Sequence, residues 1–395
     1  MKQIRRWGWA IVASLLMAAC GGSEEVPGSG SPSGAPATPG SFSAVVSFGT
    51  SVSDVGTYTP ATSITGDGQP PFIGGKFTTN SVAGTVWVEN VATALGLAVT
   101  PAEVGFNGRS VKCPAAANPA FATTCTGYGQ GGARVTDPNG INHNPDGTGA
   151  LTVPIKTQIA NHLARFGSFR DSDLVFVEAG LNDVFVQIAT FGASAAQISA
   201  DAAAGRITDG QASALLFQAQ TEAQLAMKQA AQELTGYVRD EILAKGGRYV
   251  AVMNAVDLSI TPEGKALPDS LRPVLTGLSD IFNLWLRDGL TGQPVQIIDL
   301  KGFFAETIAD PASRGFVNVG GRACDPAVIS AITRGAVTSG TSLFCNATPG
   351  VPYNGLGAGA DADTWFFADG NHPTTGGHKA LGDVVLQQLR AYGWL

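Results

Sequence analysis

Four short apolar runs, rich in β-branched residues, recur along the chain and alternate with stretches of helical pattern. They are SAVVSF, DLVFVEAG, RYVAVMNA and VQIIDL, which begin at residues 43, 173, 248 and 295. Strands that are buried on both faces of a parallel sheet have this composition, because neither face meets water. The alternation predicts an α/β domain with right-handed crossovers and a central, mainly parallel sheet between two layers of helices, α/β/α.

Two of the intervening stretches carry clear helical signals. Apolar residues recur at four-residue spacing from Trp87 to Leu95, after the candidate N-caps Asn80 and Ser81. Residues 210–245 are rich in Ala, Gln, Leu and Glu, and two glycines follow them. Both stretches are predicted to be helices.

The first 19 residues have the pattern of an export signal. Basic residues precede an apolar stretch that is shorter than the roughly 20 residues a membrane-spanning helix needs. The sequence LLMAAC, which ends at Cys20, resembles a bacterial lipobox. By that resemblance Cys20 would be lipidated, and the protein would be exported as an outer-membrane lipoprotein in the periplasm or at the cell surface. A plain signal peptide with an incidental Cys20 is the alternative.

Residues 20–41 are predicted to be a tether. They consist almost entirely of Gly, Ser, Pro, Ala, Thr and Glu, which bury too little apolar surface to offset the entropy of ordering. The folded domain is therefore expected to span residues 42–395.

Four cysteines follow Cys20, namely Cys113, Cys125, Cys324 and Cys345. An even number of cysteines in an exported chain indicates two disulfides, and pairing each cysteine with its neighbour is the simplest of three connectivities. A zinc site is the weaker alternative, because the chain has no CxxC pair and no histidine close to these cysteines in sequence.

Size and charge exclude two classes of protein. The 395 residues are 44% hydrophobic and only 14% charged, which excludes disorder of the whole chain because a large core can be buried. The formal net charge is −7, and no basic cluster follows the first six residues. The sequence therefore gives no indication of a nucleic-acid partner.

Two long stretches interrupt the alternation of strands and helices, at residues 106–149 and 318–363. Each carries one pair of cysteines. Loops of this length in compact domains usually carry function, and ligand sites of parallel sheets lie beyond the carboxyl ends of the strands. Both insertions are therefore candidate walls of a pocket.

A candidate nucleophile, Ser51, follows the first predicted strand in the sequence VVSFGTSVSDVGTY. Residue 53 is a serine, so the stretch departs from the G-x-S-x-G elbow of α/β-hydrolases. Near the C-terminus, DGNH places Asp369 three residues before His372. In this arrangement Asp369 would fix the tautomer of His372, which would take the proton of Ser51. Ser53 is interpreted as a turn residue.

A serine nucleophile also needs donors for the oxyanion that forms on its substrate. Asn182 lies just beyond the second predicted strand, and GYGQGG offers Gly131 and Gly132, whose backbones can approach a substrate closely. These residues are the candidate oxyanion donors, together with the N–H of Ser51.

These motifs resemble the SGNH hydrolases, also called GDSL esterases and lipases, and in particular a bacterial branch labelled phospholipase, lecithinase or haemolysin. The likeness covers nearly the whole mature domain and includes FGTSVSDVG, GYGQGGA, GLND and DGNHPTTGGH. It implies a flavodoxin-like fold and ester hydrolysis with no metal or cofactor. It also implies that Ser51, Asp369 and His372 are catalytic, and that Ser51, Gly132 and Asn182 form the oxyanion hole.

The chain departs from the family pattern immediately before the nucleophile. The family usually has GDS there, whereas Thr50 stands in place of the aspartate and Val52 in place of a leucine. Thr50 keeps a hydroxyl but lacks the charge, so the means by which this chain orders its serine turn is an open question.

The remaining polar motifs favour structural roles. Asn142, Asn144 and Asp146 resemble part of a calcium loop, but position twelve of that loop is Val153 where a bidentate glutamate belongs. Asp183 is interpreted as a helix-start carboxylate, and His162 and His378 as residues on helix faces. No metal site is predicted.

Three functions fit these observations. The first is a surface-anchored serine esterase that acts on acyl or lipid esters. The second is an esterase of the same mechanism that removes acetyl or aromatic acyl groups from carbohydrates. The third is a lipoprotein that retains the fold and only binds its target.

Overall fold

The computed structural model describes residues 30–62, 74–350 and 353–395. Its strands are β1 (Ala44–Phe48), β2 (Glu103–Phe106), β3 (Arg109–Lys112), β4 (Asp173–Glu178), β5 (Tyr249–Met253), β6 (Gln296–Ile298), β7 (Asn318–Arg322) and β8 (Trp365–Phe367). Its α-helices are α1 (Thr59–Thr62), α2 (Trp87–Ala94), α3 (Ile155–Phe166), α4 (Leu181–Ala203), α5 (Asp209–Tyr237), α6 (Pro262–Ala266), α7 (Arg272–Gly289), α8 (Leu300–Ala309), α9 (Pro326–Ile332) and α10 (Thr375–Ala391).

The four predicted apolar runs form the central sheet. Its strand order is β1-β4-β5-β6, and every neighbouring pair is parallel. In the first pair Phe48 of β1 lies opposite Val177 of β4. Because both faces of the sheet are covered, all residues of β1, β4 and β5 are buried.

Helices cover the two faces of the sheet. On one face, the ring of Phe176 lies 5.0 Å from that of Trp87 in α2, and α10 packs beside α2. On the other face, the ring of Phe48 lies 5.8 Å from that of His162 in α3. The helices α4, α5 and α7 pack against one another. The predicted three-layer α/β architecture is confirmed.

Both predicted helices form, but the two candidate N-caps of α2, Asn80 and Ser81, are wrong. Helix α5 continues as a π turn and a 3-10 turn to Lys245, where Gly246 ends it in the left-handed conformation. The N-cap of α2 is Val86. The side chain of Asn80 instead donates to the backbone carbonyl of Ser342, at 2.9 Å. Its Oδ1, the atom that a cap would use, accepts the N–H of Lys76 at 3.1 Å.

The cysteines pair as sequence neighbours, Cys113 with Cys125 and Cys324 with Cys345. The first disulfide lies beside the β2–β3 hairpin. The second lies within residues 318–363, the second insertion, which starts with β7. Disulfides are typical of proteins that fold in an oxidising compartment, and they indicate an extracellular or periplasmic protein. None of the described helices combines the length and apolarity needed to cross a membrane.

Part of the predicted tether lies against the domain. Within residues 30–41, the N–H of Gly40 donates to the carbonyl of Trp394, and Nε1 of Trp394 donates to the carbonyl of Pro36. The N–H of Ser33 donates to the carbonyl of Gln293. The predicted signal peptide, Cys20 and the rest of the tether lie outside the described residues.

Candidate active site

The predicted site residues line one cleft of about 750 Å³. Ser51 follows β1 in a 3-10 turn, Asn182 lies in the first turn of α4 directly after β4, and Asp369 and His372 follow β8. Because the carboxyl ends of parallel strands share one edge of the sheet, residues that are distant in sequence meet there. The structure thus brings together the serine, the asparagine and the DxxH motif.

Ser51, His372 and Asp369 form a continuous chain of hydrogen bonds. The Oγ of Ser51 lies 2.8 Å from Nε2 of His372. On the other side of the ring, Nδ1 lies 2.8 and 2.9 Å from the two carboxylate oxygens of Asp369. With Nδ1 donating to the carboxylate, Nε2 is left to accept the proton of the serine hydroxyl.

Asp369 is held by backbone donors as well as by the imidazole. Its oxygens accept the N–H groups of Asn371, His372 and Ser342, the last at 2.8 Å. Burial alone would raise the pKa of this carboxyl, but His372 and the Ser342 donor outweigh it and hold the pKa well below its usual range. Burial acts to lower the pKa of His372, and the adjacent Asp369 reverses this, so the net shift is upward.

The geometry distinguishes the two candidate oxyanion glycines. The N–H of Gly131 donates to Asp54 at 3.0 Å, whereas the N–H groups of Gly132 and Ser51 have no acceptor among the described residues. Gly132 has a φ of +83°, and a Cβ there would meet the carbonyl oxygen of Ile141 at 2.4 Å. Gly132 is therefore the glycine whose N–H is available to a ligand.

The amide of Asn182 is oriented by one backbone contact. Its Nδ2 donates to the carbonyl of Ala133 at 2.7 Å, and Nδ2 carries a second hydrogen that is not used in this bond. Asn182 is buried in the wall of the cleft. A fixed side-chain donor is thus available beside Ser51.

Sequence reasoning missed Glu178, the last residue of β4. Its carboxylate accepts the N–H and the hydroxyl of Thr50, each at 2.9 Å, and the hydroxyl of Ser53 at 3.3 Å. Burial raises the pKa of Glu178. The available signal was an acidic residue inside an otherwise apolar strand, which requires partners when it is buried.

A second missed residue is Asp54, which joins the turn of Ser51 to the loop that contains Gly131 and Gly132, here called the glycine loop. Its carboxylate accepts the N–H groups of Gly56, Thr57 and Gly131. Burial raises its pKa to about 6, although these three donors oppose the shift. The sequence indicated only that Asp54 is a turn former.

The other polar residues lie outside the hydrogen-bonded chain of Ser51. Asp183 accepts from Nε of Arg134 and the N–H of Val135. His378 lies buried in α10 and His162 lies buried on α3. The turn of Asp146 is closed by hydrogen bonds to Thr148. In the described ranges, no group of three or more His, Cys, Asp or Glu could hold a metal ion.

Both insertions contribute walls of the cleft. Phe106 and Ile141 come from the first insertion, and Val337 and Phe344 come from the second. Aromatic and aliphatic side chains from the rest of the domain complete the apolar lining, namely Phe77, Leu181, Phe185 and Leu258. The cleft can therefore bury an apolar group next to Ser51.

Comparison with known proteins agrees with this arrangement. The family model for GDSL-like lipases and acylhydrolases matches residues 45–385, which include β1 from its second residue, the other seven strands and every residue of the hydrogen-bonded chain. No curated protein matches the sequence significantly. Since the family model covers most of the chain, the protein belongs to the GDSL-like lipase and acylhydrolase family and is a hydrolase that acts on esters.

Proposed function

We propose that the protein is a serine esterase or lipase that hydrolyses carboxylic esters through an acyl-enzyme. The observation that carries this proposal is the 2.8 Å contact between Oγ of Ser51 and Nε2 of His372, at the wall of a cleft that both apolar and polar side chains line. The imidazole is oriented on its other side by the buried carboxylate of Asp369. A nucleophile, a base and an orienting acid in this order are what acyl transfer to serine needs.

In the proposed reaction Ser51 attacks the ester carbonyl as His372 takes its proton. The negative charge that develops on the carbonyl oxygen is met by the N–H groups of Ser51 and Gly132 and by the amide of Asn182. His372 then protonates the leaving alcohol, and water deprotonated by the same imidazole hydrolyses the acyl-enzyme. Since His372 carries out every proton transfer, the scheme uses no metal or cofactor.

The lining of the cleft favours an acyl or lipid ester as substrate. Apolar side chains from both insertions face the space beside Ser51. An acyl chain that leaves water for this lining gains roughly 0.8 kcal/mol for each buried methylene group. The substrate is therefore proposed to be an acyl or lipid ester at the cell surface or in the periplasm.

The proposed location follows from the N-terminal pattern and the disulfides. The lipobox-like LLMAAC would direct lipidation of Cys20, which precedes the first described residue by ten positions. We propose that the enzyme is anchored to the outer membrane through this lipid. Radiolabelled palmitate incorporated into the wild type and lost in Cys20→Ala would support the anchor, and equal incorporation would contradict it.

A covalent serine probe tests the proposed nucleophile. A fluorophosphonate should label the wild type and Ser339→Ala, which removes another serine that lines the same cleft, and it should leave Ser51→Ala unlabelled. Absence of labelling in the wild type, or undiminished labelling of Ser51→Ala, would contradict the enzyme assignment.

Turnover on two kinds of ester tests the substrate class. Rates on p-nitrophenyl esters should rise from acetyl to longer acyl chains, because added methylene groups enter the apolar lining. A sharp preference for releasing acetate from acetylated glycans would overturn the acyl or lipid assignment and favour a carbohydrate esterase.

A further inference from the structure

A buried carboxylate from the neighbouring strand holds the serine turn. Because Phe48 of β1 pairs with Val177 of β4, the next residue of β4, Glu178, comes to lie beside Gly49. A Cβ at Gly49 would lie 3.1 Å from Oε2 of Glu178, so the glycine lets the two chains approach. Glu178 is only 1% exposed.

The donors around Glu178 all direct hydrogens at it. The N–H and hydroxyl of Thr50 donate to the carboxylate, and so does the hydroxyl of Ser53. The Oγ of Ser53 in turn accepts Nε1–H of Trp87 at 3.3 Å, which leaves the Ser53 proton for Glu178. Because every neighbouring group donates, the arrangement fits the ionised form of Glu178, which can only accept hydrogen bonds.

Thr50 and Ser53 flank the nucleophile in sequence, so fixing both of them fixes the turn that presents Ser51. Thr50 has no charge of its own at the position before the nucleophile. We propose that Glu178 is the positioning residue of this site, its carboxylate acting from β4 on the turn in place of a charge at position 50. This inference rests on the proposed serine esterase function.

The same carboxylate also acts on the imidazole. The pKa of His372 is lowered by burial but raised by Asp369 on its own loop, by Glu263 of α6 and by Glu178 of β4. The cationic form of His372 in turn acts on the neighbouring His378 of α10. Loss of the Glu178 charge therefore lowers the pKa of His372, and the pH below which the base is protonated moves down.

Glu178→Gln removes the charge with little change of volume, and Glu103→Gln is its matched control. Glu103 is also a buried strand glutamate, but it pairs with Lys112 of the β2–β3 hairpin. We expect Glu178→Gln to lower kcat on a p-nitrophenyl ester by about 10- to 100-fold with little change in KM, because the nucleophile is misplaced. The acid limb of fluorophosphonate labelling should move to lower pH, and Glu103→Gln should change neither quantity.

Two further variants separate positioning from folding. Thr50→Val removes one hydroxyl contact and leaves Glu178 in place, so kcat should fall while the acid limb stays. Thr50→Asp combined with Glu178→Gln returns one carboxylate to the turn, and it should recover at least several-fold of the lost kcat.

The inference is overturned if Glu178→Gln keeps the wild-type kcat and acid limb, or loses activity only in proportion to its unfolded fraction. If that variant does not fold, an unchanged kcat in Thr50→Val overturns it. A wild type that the probe fails to label would overturn the proposed function and this inference together, whereas a labelled wild type with an unaffected Glu178→Gln overturns this inference alone.

Discussion

Two buried acidic side chains accept hydrogen bonds from the turn of Ser51 and the residues that follow it. Glu178 accepts hydrogen bonds from Thr50 and Ser53, and Asp54 carries the turn over to Gly131. Both Gly131 and Gly132 line the cleft, but the N–H of Gly131 donates to Asp54, which leaves the N–H of Gly132 for a ligand. Single polar contacts thus decide which backbone groups are available for chemistry.

The titration of Asp54 should be visible in the stability of the protein. Its pKa in the fold is about 6, above the usual value, so its stabilising contribution is fully present below the unfolded pKa, near 4. That contribution is lost as pH rises through about 6. A shift of about two pKa units corresponds to about 3 kcal/mol. We expect the free energy of unfolding of the wild type, relative to Asp54→Asn, to fall by this order between pH 4 and pH 7.

Urea unfolding of both proteins at several pH values measures this difference. The other buried carboxyls are common to both proteins, so their titration cancels in the comparison. A difference that is constant with pH, or that rises with pH, would show that burial does not dominate the titration of Asp54.

At the scale of elements, the second insertion lines the cleft and also donates a hydrogen bond to Asp369. The N–H of Ser342 donates to Asp369. Three residues after Ser342, Cys345 forms a disulfide with Cys324. Phe344, between them, lines the cleft. The second disulfide is therefore coupled to the site through a single short segment.

Removing the disulfides one at a time should separate stability from activity. Each closes a short loop and contributes about 3 kcal/mol in the chain-entropy model. We expect the double variant Cys324→Ala, Cys345→Ala to lose about this much stability and also at least about 10-fold in kcat/KM, because Asp369 loses a fixed donor. Chemical unfolding and ester turnover, both at a temperature where the protein is folded, measure the two effects.

The other disulfide is the matched control. In the double variant Cys113→Ala, Cys125→Ala the backbone of Tyr128 remains bonded to Ser47 of β1, so the glycine loop keeps its anchor. We expect a similar loss of stability with kcat/KM nearly unchanged. Equal losses of activity in the two double variants would contradict a specific link between the second insertion and Asp369.

The cap of α2 shows why element boundaries are difficult to predict. Asn80 has a residue type that often caps helices, but its Oδ1 accepts the N–H of Lys76, and its Nδ2 donates to the carbonyls of Lys76, Thr78 and Ser342. The helix begins instead after Val86, with Glu89 accepting the Val86 N–H. The residue type favours a cap, but the fold decides which N–H group the side-chain oxygen accepts, and here that donor is Lys76.

At the scale of the whole molecule, residues 30–41 lie at the amino ends of the sheet strands, away from the cleft. Residues 30–41 contact Trp394, and the Tyr249 hydroxyl at the amino end of β5 donates to the carbonyl of Thr38. The indole of Trp394 is fully buried. The segment therefore serves as a cover for the amino edge of the domain.

Truncation tests this role of the segment. A chain that starts at residue 42 should be about 3 kcal/mol less stable than one that starts at residue 30. It lacks the hydrogen bonds that Ser33 and Gly40 donate and those that Ser31, Pro36 and Thr38 accept, each worth about 1 kcal/mol, and the entropy of ordering residues 30–41 offsets part of this sum. The kcat/KM should be unchanged, because the cleft lies at the opposite, carboxyl edge of the sheet.

Equal stability of the two chains would mean that residues 30–41 act only as a tether. A fall in kcat/KM beyond the unfolded fraction would mean instead that the amino edge of the sheet influences the cleft. Melting curves followed by Trp fluorescence measure the stability of both chains, and repeating them with Trp394→Phe isolates the signal of Trp394 from that of Trp87, Trp285 and Trp365.

Much of the fold and of the candidate site could be predicted because the signals are local. A strand that is buried on both faces is largely apolar, so the run LVFV within DLVFVE can be recognised as a strand from the sequence. Asp369 and His372 lie three residues apart on one loop, and their pairing follows from that spacing. The sequence alone therefore determined the architecture and the proposed nucleophile, base and acid, but not the two buried acids Glu178 and Asp54.

Only the tertiary structure decided how those groups are held. The contact of Thr50 with Glu178 exists because β1 and β4 are neighbours in the sheet, and the contact of Ser342 with Asp369 exists because an insertion folds back. Both Gly131 and Gly132 line the cleft, but the N–H of Gly131 donates to Asp54, so that of Gly132 is the one left available. A hydrogen bond depends on distance and angle, and strand order and loop paths set these between residues that no sequence period relates.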